Sequence, residues 1–189
     1  MVTIVPDGTL VTVFPQNVSD FGQFEPVPAA AASSPIGLLE YLADCHDGYP
    51  DIGNPVILAI RIATPFRNAA AGSNVSLTVQ WIPPHAAHPY QAANWPRFAL
   101  MGHLEDIADE DVAEQKIAEC YKAAHPDVFW TPDHKHPPHV SGWVRLIVKE
   151  IYWFGGFGDR AHIGWFPLEM YQGVTRKEIE AIRLVGEKD

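Results

Sequence analysis

The stretch Trp143 to Asp159, WVRLIVKEIYWFGGFGD, constrains this chain more than any other: it opens as an alternating strand, turns wholly aromatic and stops on three glycines and an acid. Val144, Leu146 and Val148 alternate with Arg145 and Lys149, the period-two pattern of a sheet with one face in water. Ile151, Tyr152, Trp153 and Phe154 abandon that pattern, so both faces of the strand end are expected to be covered. Gly155, Gly156 and Gly158 then permit positive φ or the close approach of a partner. An end of this kind is either a core-to-core junction, such as a subunit interface, or the wall of a ligand cleft.

With 189 residues, 47% of them hydrophobic and 19% charged, the chain suits one globular domain with a sizeable core. A formal net charge of −10 argues against nucleic acid as the main partner, because phosphate binding needs concentrated Lys and Arg. No run reaches the ~18–20 apolar residues of a membrane span. Met1 to Pro6 lacks the basic start and long apolar core of a secretory leader. A chain trimmed of its leader reads the same way, so a secreted or vesicular location and a cytoplasmic one both stay open. Cys45 and Cys120 form no CxxC motif and no disulfide framework. One bridge between them is permitted, but two unpaired buried thiols are the expectation. Asn17-Val-Ser19 and Asn74-Val-Ser76 fit the N-glycosylation pattern, which matters only in a secreted chain.

Strand-like segments dominate. Residues 9–14 follow the turn signal Pro6-Asp7-Gly8, and Pro26 to Pro35 reads as a loop. Residues 36–44 favour a short helix by local propensity. Val56 to Ala63 is a nearly continuous apolar run broken by Arg61, as in a buried strand. Val75 to Trp81 alternates without fault, with Ser76, Thr78 and Gln80 outward, and Phe98 to Ile107 is a further strand. Asp111-Val-Ala-Glu114 resembles a capping box opening one helix to Pro126, with Ala113, Ile117, Cys120 and Ala124 on its inner face. A second box, Thr175 to Glu178, opens a C-terminal helix with Ile179 and Ile182 inward. Strands outnumber helices, which points to a mainly β fold, a barrel with helices.

Several groups could carry chemistry. His125, His134, His136 and His139 crowd one segment, but 131–139 is proline-laden and polar like a surface loop, and no metal site is assigned. His139, directly before the aromatic strand, is the member best placed to face a cleft. Arg61 needs an anionic partner, since a stranded buried charge costs several kcal/mol; an internal Asp or Glu and a ligand phosphate or carboxylate both qualify. Thr64-Pro-Phe-Arg67-Asn68 and the following Ala/Gly/Ser stretch offer hydroxyl, guanidinium, amide and flexible backbone, the groups of an anion cradle. There is no P-loop and no GxSxG elbow. Asp109-Glu-Asp111 reads as helix-start electrostatics.

Taken in order, Gly8-Thr-Leu-Val-Thr12, Pro96-Arg-Phe-Ala-Leu-Met-Gly-His-Leu-Glu-Asp106, the 111–126 helix, His125-Pro126 and Ile151-Tyr-Trp-Phe-Gly-Gly-Phe-Gly158 resemble the CREG family (cellular-repressor glycoproteins), nearest to its fungal branch, among the pyridoxamine 5′-phosphate oxidase-like proteins. The likeness runs from about Gly8 to Val174. It implies a single FMN-binding-type split β-barrel domain over 1–189, with the barrel at about 8–174 and a helix at about 175–186. It also implies a homodimer with a flavin, or its vestigial pocket, at the subunit interface. On this likeness 36–44 becomes the second barrel strand instead of a helix. Arg61 to Asn74 falls where flavin relatives hold the FMN phosphate, yet Ile36 to Asp44 lacks the Arg or Lys such relatives place there.

Two functions follow. In the first, a dimer binds a small molecule, with FMN as the candidate cofactor, and acts as an oxidoreductase or other small-molecule enzyme. Arg61, Thr64, Arg67, Asn68, Ser76 and Arg145 would contact the ligand's polar groups, Trp143, Trp153 and Phe154 its ring, and His139 would move protons. In the second, a secreted or vesicular glycoprotein of the same fold has lost flavin and acts through protein contacts.

Overall fold

Alternating and doubly buried strands build the wall of a barrel in this chain. The computed structural model describes residues 7–19, 21, 26–45, 53–80, 95–155, 159 and 161–181. Trp81, Gly156, Gly158, residues 182–186 of the expected C-terminal helix and the side chain of Ile179 lie outside the described residues. The strands are β1 (Asp7–Val13), β2 (Pro35–Tyr41), β3 (Val56–Ile60), β4 (Val75–Gln80), β5 (Arg97–Asp106), β6 (Ser141–Gly155) and β7 (His162–Phe166). All pairings are antiparallel, in the order β2-β1-β4-β5-β6-β3, with β7 added to the end of β6. A bridge between Ala43 and Val56 brings the two ends of the order together. Residues 36–41 are thus strand, as the family resemblance implied and local propensity did not.

One inward row explains the core. Leu10, Leu77, Leu100 and Ile151 stand opposite one another on β1, β4, β5 and β6, and all are buried. Removing each such side chain from water is worth about 1.5–3 kcal/mol. Phe66 of α1 (Thr64–Ala70) joins this core, so the helix plugs the barrel. Residues 64–70, expected to supply flexible backbone, are therefore ordered helix.

A second apolar layer lies outside the barrel. Helices α2 (Asp109–Glu114) and α3 (Ile117–Ala124) follow β5, and α3 places Ile117 and Tyr121 against Val56, Leu58 and Trp143. Ile57 and Ala59 point the other way, into the barrel. This double burial accounts for the unbroken apolar run of β3. It also corrects the wet face expected for β6: Arg145 is buried, between Val56 and Glu105 in register. The single helix expected over 111–126 is two, broken where Lys116 takes φ 52°. Asp111 is not a cap; Ala108 is, and Asp109, Glu110 and Asp111 fill the first turn, where the helix dipole favours acids. Cys45 and Cys120, expected as free thiols, form a disulfide that ties the segment after β2 to α3.

Lys149 is an extra residue in β6. Glu150 pairs with Met101 and Val148 with Gly102, so Lys149 is left over in a β-bulge. Beyond it alternation resumes: Ile151 and Trp153 face inward, Tyr152 and Phe154 outward. After β7 come α4 (Leu168–Gln172) and α5 (Arg176–Ala181). The Thr175–Glu178 capping box forms as expected, with Thr175 N and Oγ1 donating to Glu178 Oε2 at 2.8 and 2.7 Å. Among the described residues no helix is long and apolar enough to cross a membrane.

Candidate functional site

Arg61 leaves β3 one residue after its end, its N–H donating to Val140 O at 2.9 Å. Its side chain is not buried in the strand, as the apolar run suggested, but 40% exposed and ion-paired with Asp106 at the end of β5. The guanidinium lies across Gly142 of β6, where a Cβ would come within 2.5 Å of Nη2. Glycine at 142 is therefore what lets the arginine lie flat on the neighbouring strand. Of the two partners considered for Arg61, an internal carboxylate is the one present.

Around this pair opens a cavity of about 530 Å³, walled by Arg61, Asp106, Asp109, Asp133, Ser141 and Trp143 among others. Trp143 forms part of its buried side, packed edge-on against Tyr121 at 5.0 Å between ring centres. Tyr121 Oη donates to Tyr41 O at 3.0 Å, and burial pushes the phenol well above its ordinary range. Asp133 pairs with Lys122, whose ammonium holds the carboxyl below the usual carboxylate range. Three carboxylates and one neutralised guanidinium leave this wall negative, a poor seat for a phosphate.

The other expected site residues stand elsewhere. Asn68 is fully buried on α1 and donates from Nδ2 to Thr12 Oγ1 at 2.9 Å, so it faces no cleft. The Arg67 guanidinium lies 4.0 Å over the Phe21 ring, and Thr64 begins the same helix. Ser76 sits on the outer face of β4, level with Met101. Phe154 is on the same outer face, under the Arg97 guanidinium at 3.8 Å. Trp153 points inward and stacks on Phe98. His139 is exposed in the loop before β6 and lines neither of the two cavities described in this chain. Among the described residues no trio of His, Cys, Asp or Glu is arranged to hold a metal. Only Arg61 and Trp143 of the expected set share one cavity. Their acidic neighbours, Asp106, Asp109 and Asp133, were not singled out as ligand contacts, because each looks like an ordinary surface acid in its own segment.

A different assembly of rings covers the outer sheet face. Leu39, Thr9, Thr78, Ala99, Tyr152 and Trp165 follow one another in register across six strands. Leu39 is 64% exposed and Trp165 62%, and Trp165 meets Tyr152 edge-on at 5.3 Å. With Phe154 and Ile163 beside them, these residues make an apolar sheet surface that the chain itself leaves open.

Comparison with known proteins agrees with this architecture. The chain is similar in fold to a heme binding protein from Mycobacterium smegmatis, with a TM-score of 0.60 and 18% identity over 89% of this chain and 55% of that one. It is also similar to the protein Atu2129 from Agrobacterium tumefaciens, with a TM-score of 0.53 and 20% identity over 83% and 54%. Campylobacter jejuni ChuZ gives a TM-score of 0.53 at 10% identity over 82% and 52%. The chain thus spans just over half the length of each. No curated protein sequence matches it. Residues 18–173 match the family described as CREG, beta-barrel, and the fold is the split barrel of the pyridoxamine 5′-phosphate oxidase-like proteins. The chain belongs to the CREG β-barrel family.

Proposed function

We propose that this chain is a non-catalytic split-barrel protein of an oxidising compartment, secreted or vesicular, that acts as a dimer through its outer sheet face. The observation that carries this reading is the uncovered row from Leu39 to Trp165, since exposed apolar patches of this kind mark interaction surfaces. A second copy is the occupant this reading assigns to it. Support for the compartment comes from the Cys45–Cys120 disulfide, because such bonds persist where thiols are not kept reduced. Asn17 and Asn74 are both exposed, as glycan acceptors must be, and Asn17 Oδ1 accepts from Ser19 N and Oγ at 3.1 and 2.7 Å.

The residues do not fit FMN. Arg61 is neutralised by Asp106 within an acidic wall, Asn68 is sealed against Thr12, and Arg67 is stacked on Phe21. No step is therefore routed through a flavin. One observation favours a second reading: Tyr152 and Trp165, beside Phe154 under Arg97, form a platform on which a planar ring with an acidic group could rest between two copies. Heme, named for the mycobacterial neighbour, and flavin are ligands of that shape.

Sedimentation velocity with and without FMN tests both. A dimer that becomes monomeric on Trp165→Asp, with no quenching of FMN fluorescence at tens of micromolar (on the order of 6 kcal/mol of binding), is the expected result. A monomer at all concentrations overturns the dimer. FMN quenching that Trp165→Asp abolishes replaces the first reading with the second.

A further inference from the structure

Where β7 joins β6, a second cavity of about 230 Å³ lies inside the barrel end, between Phe98, Ile151, Trp153, Phe166, Tyr171 and Val174. Its wall is entirely apolar, and it shares no residue with the cavity around Arg61. Interiors are close-packed, so a void of this size is ordinarily lost as side chains move into it.

Two aromatic walls are held back from doing so. Trp153 folds its indole over Gly155, where a Cβ would come within 2.3 Å of Nε1. The ring of Tyr171 rests on Gly53, which has φ 85° and where a Cβ would lie 2.2 Å from Cε1. Tyr171 Oη donates to Gly53 O at 3.0 Å, so its polar end is satisfied and the ring is fixed by it. Phe98 and Trp153 are nearly parallel, 16° between planes with centres 6.1 Å apart, and present a flat surface. Two glycine seats and one hydrogen bond thus keep an apolar chamber open.

We propose that this chamber is a binding site for a neutral, apolar molecule of one or two fused rings. An apolar cavity of about 150 Å³ stays dry and takes up benzene; this one is larger by about half, which suits two fused rings. With no polar atom on the wall, a charged or strongly hydrogen-bonding ligand would lose its hydration without replacement. The same reasoning separates this chamber from any seat for a flavin or heme, both of which carry anionic groups.

The test is methyl NMR on the full chain labelled at Ile and Val, titrated with indane as a neutral two-ring probe and with benzoate as a charged single-ring one. The Ile151 and Val174 methyl signals are expected to move with indane at a Kd below about 1 mM, roughly 4 kcal/mol, and to stay still with benzoate. Val174→Trp, which fills the chamber, and Gly155→Ala, which pushes the indole into it, should each weaken indane at least tenfold. Unmoved methyl signals at saturating indane overturn the proposal, a result that depends on no variant. Equal shifts with benzoate, or unchanged indane affinity in a folded Val174→Trp, overturn it as well.

Discussion

Between β5 and β6 the barrel wall is a ladder of ten residue pairs, whereas between β2 and β3 it is one bridge, Ala43 to Val56. Side chains and a covalent bond stand in for the ladder on that second seam. Residues 41–45 are tied to the α3 region by Tyr121 Oη to Tyr41 O at 3.0 Å, His125 Nε2 to Leu42 O at 2.9 Å and Tyr41 Oη to Asp127 Oδ2 at 2.8 Å. The Tyr41 and His125 rings stack at 4.6 Å, and the disulfide completes the clamp. A split barrel can therefore be closed by a second layer laid over its gap. The difference is one of redundancy: a ladder spreads its strength over many like bonds, while the seam depends on a few groups with individual chemistry.

The sharpest way to break this contrast is at the disulfide. Cys45→Ala with Cys120→Ala, or reduction, frees a loop closed over 75 residues and should lower stability by about 4 kcal/mol, read as a shift of the urea midpoint. A loss below about 1 kcal/mol would mean that the side chains of the seam hold it without the bond.

The next effect in size is pH-dependent and belongs to β2. Burial pushes the Glu40 carboxyl from 4.5 up to about 7. Because the folded-state value is the raised one, the stabilisation is complete below about pH 4.5 and is lost as pH rises through 7. Glu40→Gln should therefore be more stable than the parent at pH 7.5, by on the order of 1–2 kcal/mol, and no different at pH 4. Equal stability at both pH values would place this carboxyl in water.

The smallest effect is expected on the ladder side. Trp165→Ser removes one cross-strand ring pair from a wall already held by its backbone and should cost a monomer less than about 1 kcal/mol. A larger loss, measured at concentrations too low for association, would show that the ladder is no sturdier than the seam.

Much of the wall was legible in the sequence. Val75 to Gln80 alternates because one face meets the core and the other does not, and the apolar run at Val56 reports burial on both faces. The break between α2 and α3 could not be read, since Lys116 is a residue that rarely takes a left-handed conformation. Nothing near Cys45 points to Cys120, or near Arg61 to Asp106, because each pairing is made by the fold across a long stretch of chain. The expected site was scattered for the same reason: the order of strands that sets which residues meet came from a family likeness, while charge neutralisation and side-chain direction are local outcomes of packing.

The bulge at Lys149 has a consequence for inheritance. One residue sets the parity of everything that follows it in β6, so deleting that lysine would exchange the rings of the chamber with those of the outer surface. Descendants could thus trade a ligand pocket for a sticky face by a single codon loss, without altering any aromatic residue.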